Sequence, residues 1–368
     1  MKSQRWPITG WKTAKRLLWI DGGDYMSVIS YKMLQKANMA DIVNRWMKDY
    51  DVIAPVKYGM AMEFRHIDDP KRIYLSDGNS IKTPKEFFFP QNDELFEVRD
   101  GEVQAPISAK PTILLGVKSC DVTSFPVMDK VFINEHYVDP YYKVRRYNTI
   151  VIGYACNKPD DGGFCTTLGI SPAHNEQCDM FWHDIGDAYL IDVVTQNGSD
   201  LADGLPDASQ EDIEAAYNAR EAIEAMMPPE FDLADLPDEK TFFEAPFWNE
   251  VYQRCIGCGT CTYACSTCHC FEFYDERTKG SVKRYRNWDS CMYALFTEHA
   301  SGHNPRPTQK ERVRQRFMHK FCYYPINFGV VSCVGCGRCV RQCPTNVDIR
   351  RIIKQACDYG REVATSVE

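Results

Sequence analysis

The stretch Cys255-Ile-Gly-Cys258-Gly-Thr-Cys261-Thr-Tyr-Ala-Cys265 recurs further along the chain as Cys333-Val-Gly-Cys336-Gly-Arg-Cys339-Val-Arg-Gln-Cys343-Pro344. Both copies follow C-x2-C-x2-C-x3-C, the run that holds [4Fe–4S] clusters in bacterial ferredoxins. The spacing has a physical reason. Three close thiolates wrap one corner of an iron–sulfur cube, and the intervening glycines let the backbone approach and donate N–H bonds to the sulfides. The fourth cysteine opens the next helix and reaches the other cluster. One cluster is therefore expected on Cys255, Cys258, Cys261 and Cys343, and its neighbour on Cys333, Cys336, Cys339 and Cys265. Zinc knuckles share C-x2-C pairs, but they use two pairs or Cys/His mixtures. Ser266 stands where the second copy has Pro344, a change of turn geometry rather than of ligation. Two cubes with four thiolates each leave no iron open for bond chemistry, which points to one-electron relay.

The motif sits in a chain of 368 residues that is 44% hydrophobic and carries a formal net charge of −8. This length suggests two or three domains and excludes collagen-like or wholly disordered classes. The 17 cysteines are too dilute for a disulfide scaffold, and an odd number cannot all pair within one chain. A reducing, cytoplasmic setting is expected. No apolar run approaches the length of a membrane span, and the Leu17–Ile20 run is too short for a signal peptide. The acidic balance argues against nucleic acid as the main partner.

Cysteine placement organises the rest. Residues 1–119 contain none. Residues 1–25 read as an N-terminal extension, and 26–199 as an α/β-type body. Within it, 28–50 shows apolar residues at roughly helical spacing (Met33, Ala37, Ala40, Val43, Trp46). Extended stretches are expected at 52–56, 86–89 and 95–98. Two apolar runs, Thr112–Val117 and Thr149–Tyr154, lead straight into Cys120 and Cys156, placing chemistry at strand ends. Residues 200–240 hold thirteen Asp/Glu against Arg220 and Lys240, so 200–243 reads as an acidic linker with a helix at 211–226. Residues 244–368 then form a helical, ferredoxin-like dicluster domain. The fold class is α+β.

Nine cysteines remain outside the motif. Cys120, Cys156, Cys165 and Cys178 either converge on a third cluster or pack as small buried hydrophobes. Cys268, Cys270 and Cys291 either ligate a further centre, with His269 or His303, or pack around the first cluster. Cys322 and Cys357 read as structural. Arg306, Lys310, Arg312, Arg314, Arg316 and Lys320, against the single acid Glu311, form either a solvated helix face or charge compensation and docking for anionic clusters. There is no G-x-G-x-x-G after a strand, no G-x4-G-K-[ST] and no H-E-x-x-H, so the chain shows no substrate or nucleotide site of its own.

Trp288-Asp-Ser-Cys291, Ser301-Gly-His303-Asn-Pro-Arg306-Pro, Pro84-Lys-Glu-Phe87-Phe-Phe-Pro90, Gly116-Val-Lys-Ser-Cys120-Asp121 and Tyr141-Tyr-Lys-Val-Arg145-Arg146 complete a pattern with the second motif. Over about residues 50 to 350 it resembles a family of dicluster iron–sulfur subunits. The family includes the beta subunit of cytoplasmic nickel–iron sulfhydrogenases and the A subunit of anaerobic sulfite reductase. The resemblance implies a non-catalytic electron-transfer subunit. It would link a flavoprotein partner (FAD, NAD(P)H) to a catalytic partner, a nickel–iron hydrogenase or a sirohaem sulfite reductase. It also implies a third [4Fe–4S] cluster on Cys120, Cys156 and Cys165. Where many members have Cys-Phe-Cys, this chain has Gly163-Phe164-Cys165, which leaves Cys178 as the replacement ligand. Cysteines matching Cys268, Cys270 and Cys291 recur near the cluster. The competing reading is a zinc-binding structural or regulatory protein.

Overall fold

The computed structural model describes residues 28–76 and 78–366; the expected extension over 1–25 lies outside them. Eleven strands are described: β1 (Ser30–Gln35), β2 (Asp51–Tyr58), β3 (Ala61–His66), β4 (Asn92–Arg99), β5 (Glu102–Gln104), β6 (Thr112–Lys118), β7 (Thr149–Tyr154), β8 (Met180–Asp184), β9 (Ala188–Val193), β10 (Phe271–Thr278) and β11 (Ser281–Trp288). They make a seven-stranded sheet in the order β1-β9-β8-β7-β6-β2-β3 and a four-stranded one in the order β10-β11-β4-β5.

The centre of the large sheet, β2, β6, β7 and β8, is parallel. Alternation along each strand divides its side chains between two cores. Val52, Ala54, Ile113, Leu115, Ile150 and Ile152 face the helix Met39–Trp46. Ile53, Leu114 and Val151 face the helix Ser119–Phe132, with Phe88, Phe89 and Phe125. Coverage on both sides is what an all-buried parallel centre requires. A third core gathers most of the cysteines with Phe242, Trp248, Phe317, Phe321 and the C-terminal helix Ile349–Thr365.

Three expectations are corrected. Residues 28–50 are not one helix: β1 pairs antiparallel with β9, and the helix starts only at Met39, burying Ile42, Val43 and Trp46. Residues 86–89 are not a strand: Pro84–Phe87 forms a 3-10 turn capped by Thr83, because proline at its start presets the helical φ. The dicluster region is not purely helical, since β10 and β11 form a hairpin between the motifs. β11 then pairs with β4, so the small sheet draws strands from both sides of the acidic segment. That segment is also less solvated than its charge suggests. Its helix, Gln210–Ala225, opens with a capping box at Ser209 and Asp212, and Ile223, Leu236 and Phe242 are buried. Each such burial contributes about 1.5–3 kcal/mol.

Candidate metal centres

The two motif copies fold alike. Gly257 and Gly259 have φ of 70° and 76°, and their counterparts Gly335 and Gly337 have 64° and 74°. This left-handed region is cheap only for glycine. In each copy the second glycine caps a short helix, Thr260–Tyr263 or Arg338–Arg341. Cys255, Cys258, Cys261 and Cys343 line one cavity, together with Met292, Val313, Arg316 and Phe317. Cys343 comes from the second copy, so the exchange of fourth cysteines is present in the geometry. Cys265 in turn lies among Cys333, Cys336 and Cys339, close enough to raise the pKa of each. Burial is the larger cause, and pushes Cys333 up to about 12 and Cys336 to about 11. Such thiols ionise only against a cation or metal.

The same region buries cations. Lys85, Lys118, Arg316 and Lys320 are all buried, and none pairs with a carboxylate among the described residues. The Lys320 Nζ donates to Cys265 Sγ at 3.2 Å and to the Ser332 carbonyl at 2.8 Å. Lys85 donates to the carbonyls of Cys265, at 2.8 Å, and Cys268, and stands 4.2 Å over the Trp288 ring. Burial opposes the charge of Lys320 and Arg316, yet nearby cysteines outweigh it and hold both pKa values high. The Arg316 Nε has no partner among the described residues, although Cys261, Cys339, Cys268 and Cys265 surround it. An uncompensated buried charge costs several kcal/mol. A pair of thiolate-ligated cubes, each anionic, supplies the missing counter-charge. The donor set, the glycine cradles and these cations therefore fit two [4Fe–4S] clusters.

The basic insert thus divides in two. Arg316, at the end of the helix Gln309–Met318, and Lys320, in a π-helical turn over His319–Tyr323, face inward. Such a turn inserts one residue into the helical ladder and re-aims the side chains beyond it. Lys310, Arg312 and Arg314 instead bond Asn249, Gln309 and the Phe243 carbonyl at the surface.

Cys120 and Cys156 leave the same edge of the large sheet, each two residues beyond the paired Lys118 and Tyr154 of β6 and β7. Lys118 closes that edge, donating to the Ala155 carbonyl at 3.2 Å. Cys165 arrives on a turn pressed against the second motif. Phe164 N–H donates to the Gly335 carbonyl at 2.8 Å, and a Cβ on Gly335 would stand 2.6 Å from Cys165 Cα. After burial, Cys156 and Cys336 raise the Cys165 pKa, to about 12; on Cys120, burial and Asp121 act first, and Cys336 and Cys165 add to them.

Cys178 does not join them. It precedes β8 in the core beneath the sheet, level with the interior of β7, where Asp179 N–H donates to the Val151 carbonyl at 2.9 Å. Its sulfur donates to the carbonyls of Asn175 (3.3 Å) and Met180 (3.1 Å), and the acids acting on it are Asp179, Asp192 and Glu176. Cys178 thus packs in the core beneath the sheet, whereas Cys120 and Cys165 belong to the third core.

The free Cys268 thiol donates a hydrogen bond to the Cys265 sulfur, and the free Cys291 thiol one to the Cys270 sulfur, beside Lys85 and Lys320. His269 is half-buried, its Nδ1 3.1 Å from the Thr267 carbonyl and its ring packed on Phe132, His319 and Tyr324. His303 is exposed, edge-on to His299. Cys322 and Cys357 are enclosed in the third core.

Sequence reasoning missed one buried network. Arg338, fully buried, donates to Asp121 Oδ1 at 2.7 Å, Asn79 Oδ1 at 2.8 Å and the Ser80 carbonyl at 2.7 Å. Ser266 Oγ donates to the same Asp121, and Asn79 Nδ2 donates to Cys120 Sγ at 3.3 Å. Serine at position 266 thus ties the end of the first motif to the second motif and to the residue after Cys120, work a proline could not do. The Lys-Ser-Cys120-Asp121 block was the available signal.

Two matched four-cysteine copies with exchanged fourth cysteines define an iron–sulfur dicluster protein, and a family model described as a 4Fe-4S dicluster domain matches residues 254–347. The beta subunit of sulfhydrogenase 2 from Pyrococcus furiosus is 30% identical over 334 residues, 88% of this chain and 98% of that protein. The chain belongs to the dicluster iron–sulfur subunit family that contains this sulfhydrogenase beta subunit. No solved structure matches it. No helix among the described residues is long and apolar enough to cross a membrane.

Proposed function

We propose that the chain is the electron-transfer subunit of a cytoplasmic multisubunit redox complex of the hydrogenase type. It would connect an NAD(P)H-handling flavoprotein to a catalytic subunit. The observation that carries this reading is that Lys85, Arg316 and Lys320 are buried against cysteine sulfurs and carbonyls with no carboxylate partner among the described residues. Two structural zinc ions on eight thiolates would also be anionic, but they would give no reason for four-cysteine copies that exchange their fourth members. When bound, the clusters supply one-electron relay. The chain's own residues set the relay's environment: Arg316 lies between the two cysteine sets, Lys320 and Lys85 flank Cys265, and Lys118 closes the Cys120–Cys156 edge. Cys258 and Ile256 are exposed while Cys333 is buried, so the first motif is the natural port for a partner. In this reading Cys255, Cys258, Cys261 and Cys343 hold one cluster, and Cys333, Cys336, Cys339 and Cys265 the other. A third cluster rests on Cys120, Cys156 and Cys165 with a fourth ligand other than Cys178. Cys268, Cys270 and Cys291 line the second centre without ligating. Of the catalytic partners, the relative's name favours a hydrogenase over a sulfite reductase.

The test is a reductive titration of anaerobically purified protein, followed by electron paramagnetic resonance. Two magnetically interacting reduced cubane signals, lost on reoxidation, are expected. A protein that stays silent at every potential would refute the relay.

A further inference from the structure

We propose that the chain carries a zinc site remote from the motif cysteines, built from His174, His183 and Asp192. Among the described residues these form the only His/Cys/Asp/Glu set of three whose ligand atoms all lie within 4.8 Å of one another. His183 is on β8 and Asp192 on β9. Phe181 pairs with Asp192 and His183 with Leu190, so His183 and Asp192 are diagonal neighbours on one face of the sheet. His174 comes from the segment between the Cys165 turn and β8. The side chains of His183 and Asp192 are 9% and 6% exposed, and His174 19%.

The spacing is that of ligands around one ion. His183 Nε2 lies 2.9 Å from Asp192 Oδ2, and His174 Nδ1 lies 3.5 Å from the same oxygen. The second separation is long for a hydrogen bond. Both bracket the roughly 3.3 Å edge of a tetrahedron whose metal–ligand bonds are about 2.0–2.1 Å. The far nitrogen of His174, Nε2, meets Glu176 Oε1 at 3.1 Å. A carboxylate on the non-ligating nitrogen fixes the ring tautomer and raises its basicity toward metal. The charges close as well: zinc with Asp192 is a monocation, and Glu176 neutralises it. Arg220, the nearby cation, has its Nε turned to Glu224 at 3.0 Å. A cavity of about 10 Å³, lined by these three residues with Leu190, Ala216, Tyr217 and Arg220, is the size of one small body and gives room for the ion itself. Two imidazoles with one carboxylate and an open fourth position are a donor set that zinc takes.

The ion would clamp the His174 segment to the β8–β9 hairpin. That segment holds the start of the helix bearing Cys120. Ser119 Oγ donates to the His174 carbonyl at 3.2 Å, and Asn175 Nδ2 donates to the Ser119 carbonyl at 3.1 Å and to Thr123 Oγ1 at 2.8 Å. The role is structural and independent of the electron-transfer reading.

The test uses the full chain, purified without chelator from zinc-supplemented medium, with zinc and iron measured together and the zinc shell read by X-ray absorption. About one zinc per chain is expected, with nitrogen and oxygen neighbours only. His183→Gln and Asp192→Asn should each lower zinc at least tenfold while iron content holds, and Glu176→Gln should weaken zinc retention about 10–100-fold. Zinc far below one per chain in the unaltered protein, a sulfur shell around it, or undiminished zinc in both ligand variants would overturn the site. Should the variants not fold, the stoichiometry and ligand shell of the unaltered protein decide alone.

Discussion

At the scale of single residues, buried cations do the most to define this protein. Lys320 reaches Cys265 Sγ from a π-helical turn, and Arg316 stands among four cysteines. A cation beside an anionic centre stabilises its reduced state, which carries one more negative charge. Lys320→Met should therefore shift the potential of the nearer cluster to more negative values, on the order of tens of millivolts. A redox titration followed by electron paramagnetic resonance measures this, and an unmoved potential would show that Lys320 is only a packing group. The ligand cysteines were legible because four thiolates on one centre require short, fixed spacings along the chain. Arg316 and Lys320 were visible only inside a basic run with two readings, and Lys85 was not visible at all, because it comes from a distant segment and meets Lys320 only in the folded molecule. Ser266 was visible as a departure from the second copy, but its partners Asp121 and Arg338 were not.

At the scale of elements, the parallel strands β6 and β7 deliver Cys120 and Cys156 to one sheet edge. Their unbroken apolar runs, each ending at a cysteine, made that arrangement readable. The residues after them decide the third centre. Cys165 is held against Gly335, whereas Cys178 is folded into the core under the sheet. Cys120→Ser should lower iron by about four per chain and leave the dicluster signals in place. Cys178→Ser should leave iron content unchanged, and equal losses in both variants would restore Cys178 as a ligand. Periodicity misled where pairing overrode it. Met33 and Ala37 match helical spacing, but β1 has an antiparallel partner in β9 available only after folding. The β10–β11 hairpin carried a usable signal, alternation broken at Lys279-Gly280, where Gly280 takes a φ of 92°.

At the scale of the whole molecule, the acidic segment and the small sheet join what a linear division at 200–243 would separate. β4 precedes that segment and β11 comes after it, yet they share a ladder. The third core likewise takes Cys120 and Cys165 from one side and Cys333 and Cys357 from the other. The cysteines thus occupy one continuous body, which suits a relay with several stations. The central claim is that this body holds iron–sulfur clusters rather than metal ions alone. Iron and acid-labile sulfide should be counted on the anaerobically purified chain. About twelve of each per chain are expected with the third centre filled, and about eight with the dicluster alone. Zinc on the cysteines with no acid-labile sulfide would contradict the account.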